Sequence, residues 1–578
     1  MQLTSVDPFG YLRDRVLAAV RAAFPEVDAT DAALHRSAHA DYQADVALAL
    51  ARRLGKPPRD VAAAVALHLT PDDVLASVVV SGPGFLNLTL TDGFLNQALA
   101  RMLDDERLGV PKAAPSAKVI VDYSGPNVAK EMHVGHIRST IIGDALARLL
   151  EWQGHDVVRQ NHIGDWGTPF GMLIEHLLDA RATGGDASLR ELVAFYQAAR
   201  AKFDSDPAFA DRARRRVVLL QGGDAETLAM WRRIVDVSIE HMDVLYRRLG
   251  VTLGPSHVAG ESTYNDDLPD VVAELQQKGL ARESEGAICV FPPGFTGREG
   301  EPVPLILRKQ DGGYGYATTD LAALRHRVQR LRATRLVYCV GAPQAQHLAM
   351  VFAVARMAGW VGPEVRLEHV AFGSVLGPDK KMFKTRAGET VRLSALLDEA
   401  CERAARTVEE KARDLDAATT RAVAEAVGIG AIKYADLSND RVKDYVFDWN
   451  RMLAFEGNTA PYLMYAHARL CSIARKAAGD GAAAASAPHI GAPAERALAL
   501  ELLQLPSAIE RAGEGLQPHR LCQHLYDVAQ TLTRFYEDCP VLTADGPVRA
   551  ARLALCALTA RVLARGLGLL GIAAPAQM

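Results

Sequence analysis

Three features of the chain set its fold class. From about residue 113 to 390, short apolar strand-like runs alternate with helix-like stretches, as in a parallel sheet with right-handed crossovers. A helix-rich stretch at about 170–255 interrupts that alternation. Beyond 391 the strand signals stop. Together they predict a multidomain α/β protein: a Rossmann-like parallel-sheet core with a helical insertion, an N-terminal α+β domain and a C-terminal all-α bundle. The expected divisions are 1–112, 113–390, a helical stem at 391–455 and the bundle at 456–578.

Within residues 1–112, the patterns at 11–23 and 45–54 predict helices, and those at 78–80 and 85–91 predict strands. The core opens with a strand at 118–123, where Val119, Ile120 and Val121 form an apolar run. A helix follows from about 133 to 153, with Ile137, Ile141, Leu146, Leu149 and Leu150 on its apolar face and Gly154 as its stop. In the insertion, 189–201 and 225–247 read as helices. A further strand-like run spans 365–375. In the bundle, 518–541 and 550–572 read as helices, and an Ala/Gly/Pro/Ser-rich stretch at 477–493 reads as a flexible connection. Gly566, Gly568 and Gly571 satisfy a dinucleotide-binding pattern, but no strand precedes them and too little chain follows for a βαβ unit.

Composition excludes several classes. The chain has 578 residues, 49% hydrophobic and 23% charged, with net charge −4 from 65 basic and 69 acidic side chains. That balance argues against coating nucleic acid by bulk charge, although local basic patches suffice for one RNA partner. No run approaches the ~18 apolar residues of a membrane span. Asp7, Arg13, Asp14 and Arg15 are unlike a secretion signal. The seven cysteines are scattered, with no zinc-knuckle or redox spacing. A cytoplasmic protein without membrane attachment, disulfide framework or structural metal is expected.

The chemistry concentrates in two places. His133 and His136 stand three apart in the first turn of the helix after the first core strand, with Gly135 between them. They share a face, at a helix end where free N–H groups and the dipole favour an anion. A zinc pair on a helix stands four apart around a glutamate, and no third ligand is evident here. Far downstream, Lys380, Lys381, Lys384 and Arg386 lie in a glycine-flanked loop at 377–388. Alone this is a solvated loop. With the histidine turn it becomes a cationic clamp for a triphosphate.

The two segments, His133-Val134-Gly135-His136 and Lys381-Met382-Phe383-Lys384, resemble the signature motifs of class I aminoacyl-tRNA synthetases, with Phe383 where the family usually has serine. The surrounding words at 124–130, 136–143, 161–168 and 383–388 are similar to arginyl-tRNA synthetases, and the likeness runs from about Phe9 to Met578. It implies activation of L-arginine by ATP with Mg²⁺, transfer to the 3′ end of tRNA(Arg), and a monomer. His133, Gly135, His136, Lys130, Lys381 and Lys384 would serve ATP. Asp122, Asn127, His133, Tyr316, Asp320 and Gln344 would form the arginine pocket, where carboxylates accept a planar guanidinium. Phe85 and Asn87 would touch the tRNA corner. Tyr462, Tyr465 and Arg469, on one helical stripe, would stack against anticodon bases. The alternative is a synthetase-like paralogue that binds tRNA without catalysis.

Overall fold

A computed structural model of the chain describes residues 6–182, 192–381, 383, 391–411, 415–479 and 487–578. Four parallel strands form the central sheet, in the order Arg366–His369, Arg335–Tyr338, Lys118–Asp122 and Asp156–Gln160. Ile120 pairs with Leu336 on one side and Val158 on the other. The first strand therefore lies between the second and the third, and the crossovers leave it in opposite directions. Such a switch point opens a crevice at the carboxyl ends of the strands, here at Asp122, Gln160 and Tyr338.

The helix Val134–Trp152 follows the first strand and is buried along almost its whole length. Gly143 lets it cross close over Tyr123, since a Cβ there would collide with the tyrosine ring. The insertion contributes the helices Pro169–Ala182, Leu192–Ser205, Pro207–Gln221 and Ala225–Leu249. The last of these reaches back to the core. Tyr246 Oη lies 2.7 Å from Ser124 Oγ and accepts from Asn161 Nδ2 at 3.0 Å. The Ala129 N–H donates to Ser238 Oγ.

One element departs from simple alternation. Ala281–Ser284, Ala287–Val290 and Leu305–Arg308 form a small antiparallel sheet with its own apolar cluster, which includes Leu268, Val271, Leu307 and Leu321. The strand-like run at 365–375 is also two pieces. Arg366–His369 joins the main sheet, and Val375–Leu376 pairs in parallel with Tyr445–Val446.

Before the core, Leu34–Arg36, Tyr42–Ala44, Phe85–Leu90 and Leu75–Ser81 form an antiparallel sheet in that order, packed with helices such as Pro8–Ala23. After it come Leu393–Lys411 and Ala417–Leu437, then Ala460–Gly479, Pro493–Leu502, Leu505–Glu514, His519–Asp538 and Gly546–Leu569. The two ends of the chain meet. Arg496 grips the Asp41 carboxylate at 2.6 and 3.0 Å and also bonds the Leu90 carbonyl.

The helix Val134–Trp152 is tied to the stem by charge. Arg138, 2% exposed, faces Asp436, 1% exposed, at 3.1 Å. Its guanidinium also donates to the Lys443 carbonyl and lies over the rings of Phe372 and Tyr445. Two turns on, Asp144 is approached by Arg148 at 2.7 Å. Lys433, wholly buried, donates to the carbonyls of Leu249 at 2.8 Å and Gly571 at 2.5 Å. Burial holds Lys433 down at about 8 although Asp144 counters it.

Removing one partner of a buried ion pair leaves an uncompensated charge, which costs on the order of 3–5 kcal/mol. Asp436→Ala and Arg138→Met should each lower unfolding free energy by about that amount, measured by urea denaturation. The double variant should lose less than the sum of the two. Simple additivity would show that the pair is not coupled.

Candidate active site

The loop 124–132 between the first strand and its helix is held from outside. The Ser124 N–H donates to Ser139 Oγ, the Gly125 N–H to Asn161 Oδ1, and the Val128 N–H to the Gly164 carbonyl. Asn127 is exposed and bridges to Gly164, which has no side chain to displace it.

At the helix entry, His133 Nδ1 accepts from the Gly135 N–H at 3.0 Å, and His136 Nδ1 accepts from the His133 N–H at 3.1 Å. The rings sit 4.1 Å apart. An imidazole nitrogen that accepts carries no proton, so in the neutral rings Nε2 carries the hydrogen. Each ring is thus a cap toward the protein and an N–H donor on its other edge. Burial, then the mutual proximity of the rings and of Lys130, hold His136 down at about 4. Burial and Lys130 also lower His133. The neighbour that requires glycine at 135 is the His133 ring itself, since an added Cβ would lie 2.7 Å from it. Lys130 is exposed, with Nζ 5.5 Å from the Tyr196 ring of the insertion.

The second motif segment is brought to the first by backbone pairing. The Val134 N–H donates to the Val391 carbonyl, and the Leu393 N–H to the Met132 carbonyl, both at 3.0 Å. Arg392 meets Glu131 at 3.1 Å. The chain that leaves the basic loop therefore lies directly on the histidine turn. Lys381 is exposed, on a turn closed by the Gly377 N–H to its carbonyl at 2.7 Å. Phe383 stacks on Phe447 at 4.7 Å, and Phe447 stands edge-on to Trp449. Lys384 and Arg386 lie outside the described residues.

Across the crevice, Tyr316 and Asp320 occupy the first turns of Tyr316–Gln329. Asp320 Oδ2 lies 2.6 Å from His347 Nε2, and the His347 ring packs on Tyr316 at 4.7 Å. Gln344, exposed, stands one turn before His347 on the same face. His162 Nε2 is 3.8 Å from Asp320 Oδ1, while its Nδ1 is engaged by the Ala259 carbonyl at 2.8 Å. Glu261 completes the group. Burial raises its carboxyl to about 7, with nearby His162 pulling it down and Asp165 and Asp320 pushing it further up.

Asp122, expected in the arginine pocket, lies at the end of the first core strand and is ion-paired within the chain. Its carboxylate meets Arg327 at 2.7 Å, and Arg327 is 1% exposed and also bonds Gln160 at 2.6 Å. Asp122 therefore already neutralises an arginine of its own chain, from the helix that carries Asp320. Glu261, His162, His347 and Arg327 were missed as site residues. His162 lay within the resemblance at 161–168, but no local pattern marks the other three.

The remaining predicted residues lie away from the crevice. Asn87 lies on the same face of its strand as Phe85, opposite the exposed Val79, and its amide donates to Ser81 Oγ at 2.9 Å, which leaves it 8% exposed. Phe85, half-buried, lies nearer the surface. Tyr462 is half-buried beside Tyr526, Tyr465 is 46% exposed, and Arg469 lies 3.7 Å from the centre of the Tyr536 ring. The stripe is thus a surface feature, with Tyr536 as an aromatic that the pattern did not reveal.

Residues 98–449 match the model of tRNA synthetases class I (R), catalytic domain. Residues 463–578 match the DALR anticodon binding domain, and residues 10–90 the arginyl tRNA synthetase N terminal domain. The arginine–tRNA ligase of Thermobifida fusca is 57% identical over 576 residues, covering 99% of this chain and 100% of that relative. The chain belongs to the arginyl-tRNA synthetase family. A second arginine–tRNA ligase, from Frankia casuarinae, is 53% identical with 97% of each chain covered. Among solved structures, the arginyl-tRNA synthetase of Plasmodium falciparum has a TM-score of 0.85 at 27% identity, with both chains covered completely. That of Thermus thermophilus has a TM-score of 0.80 at 28% identity and covers 98% of this chain. The aromatic side chain at Phe383 is accommodated by its packing on Phe447.

His136 gives the site a pH signature. Its folded value, about 4, lies below the ~6.5 of an unfolded histidine. The unfolded chain binds the extra proton between those values, so stability is full above about 6.5 and falls as pH drops toward 4. The slope attributable to one proton is at most about 1.4 kcal/mol per pH unit. His136→Asn keeps an acceptor at the cap but cannot titrate. It should flatten the pH dependence of urea unfolding in that window, and an unchanged slope would assign it elsewhere.

Proposed function

We propose that the chain is an arginine–tRNA ligase: it activates L-arginine with ATP and transfers it to the 3′ end of tRNA(Arg) in translation. What supports this reading is that the histidine turn follows the first core strand and the Asp320–Glu261 group is tied to the ends of that strand and its neighbour, with the exit of the basic loop bonded to the turn.

The arginine carboxylate attacks the α-phosphate of ATP, the bond to the bridging oxygen breaks, and pyrophosphate leaves. The terminal ribose hydroxyl of tRNA, the 2′ in class I enzymes, then attacks the activated carbonyl, and AMP departs. No side chain becomes covalently attached. The catalytic work is placement and stabilisation of phosphate charge. Neutral His133 and His136 donate from Nε2 to the nucleotide without bringing a charge that would need resolvation. Lys130, Lys381 and Lys384 supply the cations for the leaving pyrophosphate.

Mg²⁺ is expected to enter with the triphosphate, since Mg²⁺ is usually held by substrate phosphates rather than a protein cage. Among the described residues no group of three His, Cys, Asp or Glu side chains is placed to hold an ion.

Asp320 and Glu261 receive the guanidinium. Tyr316 and Gln344 flank it, and Asn127 holds the α-amino end. Asp122 sets the floor through Arg327. Tyr462, Tyr465 and Arg469, with Tyr536, offer stacking surfaces to unpaired bases. Phe85 is the N-terminal contact for the tRNA corner, with Asn87 supporting the strand beneath it. The protein acts as a monomer in the cytoplasm. No helix of the described residues is long and apolar enough to cross a membrane. No observation favours a non-catalytic binder.

ATP–pyrophosphate exchange with tRNA present, run across the twenty amino acids, tests the assignment. Arginine alone should support exchange. His136→Ala should lower kcat by roughly a hundredfold or more, the scale for losing one donor to developing charge, while tRNA binding stays within a few-fold. Asp320→Asn should raise KM for arginine by at least tenfold, the cost of losing a charged hydrogen bond. Exchange with lysine or glutamine in place of arginine would overturn the assignment.

A further inference from the structure

The proposed guanidinium ligand is asymmetric. Asp320 Oδ2 is taken by His347 Nε2 at 2.6 Å. Its other oxygen, Oδ1, faces His162 Nε2 at 3.8 Å, beyond hydrogen-bond length. His162 Nδ1 is held by the Ala259 carbonyl. It must therefore carry the proton, and in the neutral ring Nε2 has only a lone pair to offer. Among the described residues Oδ1 receives no hydrogen bond. Glu261 is fixed nearby, its N–H donating at 3.1 Å to the carbonyl of Ile163, the neighbour of His162 in the chain; its carboxylate likewise has no hydrogen-bond or ion-pair partner among them, although Asp320 and His162 are near enough to act on it through their charges. The other acids nearby are engaged: Asp122 by Arg327, and Asp165 by the Ser262 N–H and hydroxyl.

His347 does a second thing. It comes from the helix Ala345–Met357, and its ring lies 4.7 Å from that of Tyr316, which is otherwise 67% exposed. One imidazole thus ties Tyr316 and Asp320 on one helix to Gln344 on the next.

We propose that His347 is a positioning residue for arginine: it pins one oxygen of Asp320, so that the guanidinium is held across Asp320 Oδ1 and Glu261 rather than by a two-oxygen fork on Asp320. This rests on the assignment of Asp320 to the arginine side chain. The bridge uses what distinguishes arginine. Guanidinium presents five N–H donors in one plane and can face two carboxylates at once, whereas an ammonium is a point charge on a flexible stem. If Oδ2 were free, Asp320 could rotate about its terminal bond and meet either cation.

The test is ATP–pyrophosphate exchange with the full chain and tRNA. His347→Ala should raise KM for arginine roughly ten- to hundredfold, the scale of one hydrogen bond to a charged group, with KM for ATP and kcat within a few-fold. His347→Asn, which keeps an N–H donor, should recover part of that loss, and free imidazole should restore His347→Ala. Both variants should exchange lysine relatively better than the parent does. A uniform fall in kcat and rise in both KM values, without rescue, would mean a merely structural role and overturn the inference. So would an unchanged KM for arginine in His347→Ala when Asp320→Asn raises it. An Asp320→Asn variant with unaltered KM for arginine would instead remove the underlying assignment, and the inference with it.

Discussion

The architecture hangs on the seating of one helix. Val134–Trp152 offers its N-terminus to the crevice, and its other turns hold charges that have no water to return to. Arg138 is committed to Asp436 of the stem and the Lys443 carbonyl, and Asp144 stands beside Arg148 and Lys433. Such pairs contribute little net stability compared with apolar packing, but mispairing them is expensive. The histidine turn can therefore occupy one position relative to the stem, and with it the backbone to which residues 391–393 are bonded. The segment 443–447 passes that constraint on: Tyr445 lies under Arg138 and pairs with Val375, and Phe447 holds Phe383.

Electrostatics in the crevice follow the same logic of prior commitment. A site for a cationic side chain needs uncompensated negative charge, yet isolated carboxylates are costly to bury. The protein separates the two demands. Asp122 and Asp165 are satisfied internally and shape the walls. Asp320 is half satisfied, and Glu261 carries the strain, as its upward shift records. At the histidine turn, burial and then nearby positive charge keep the rings uncharged, and each turns its Nδ1 to a backbone N–H. A helix end that would otherwise attract any anion thus presents directed donors.

Much of this was readable in the chain because it depends on short-range pattern. The apolar run at 119–121, the amphipathic stretch beyond His133 and the glycine stop at 154 are local, and the strand and helix followed within a residue or two. The pairing of the two motif segments was legible only through their resemblance to a family. What stayed hidden depends on partners far apart in sequence. Nothing around Arg327 says that it will consume Asp122. Glu261 looks like any acid in a loop until His162 and Asp320 fold beside it. Asn87 shares the outer face of its strand with Phe85, and alternation does not tell that Ser81 will occupy its amide. The antiparallel sheet from 281 to 308 was missed because its strands are only four residues long, short enough to read as loop.

The charge cluster beneath the signature helix also orders events in time. Lys433 donates one of its hydrogen bonds to the carbonyl of Gly571, a residue the ribosome adds long after Asp144 and Leu249 have emerged. Until then the lysine lacks one of its two carbonyl acceptors in a region that excludes solvent, and the stem has an incomplete seat on the helix. Domains usually form in the order in which they are made. Here the core can form early but gains its final brace only when the far end of the bundle arrives.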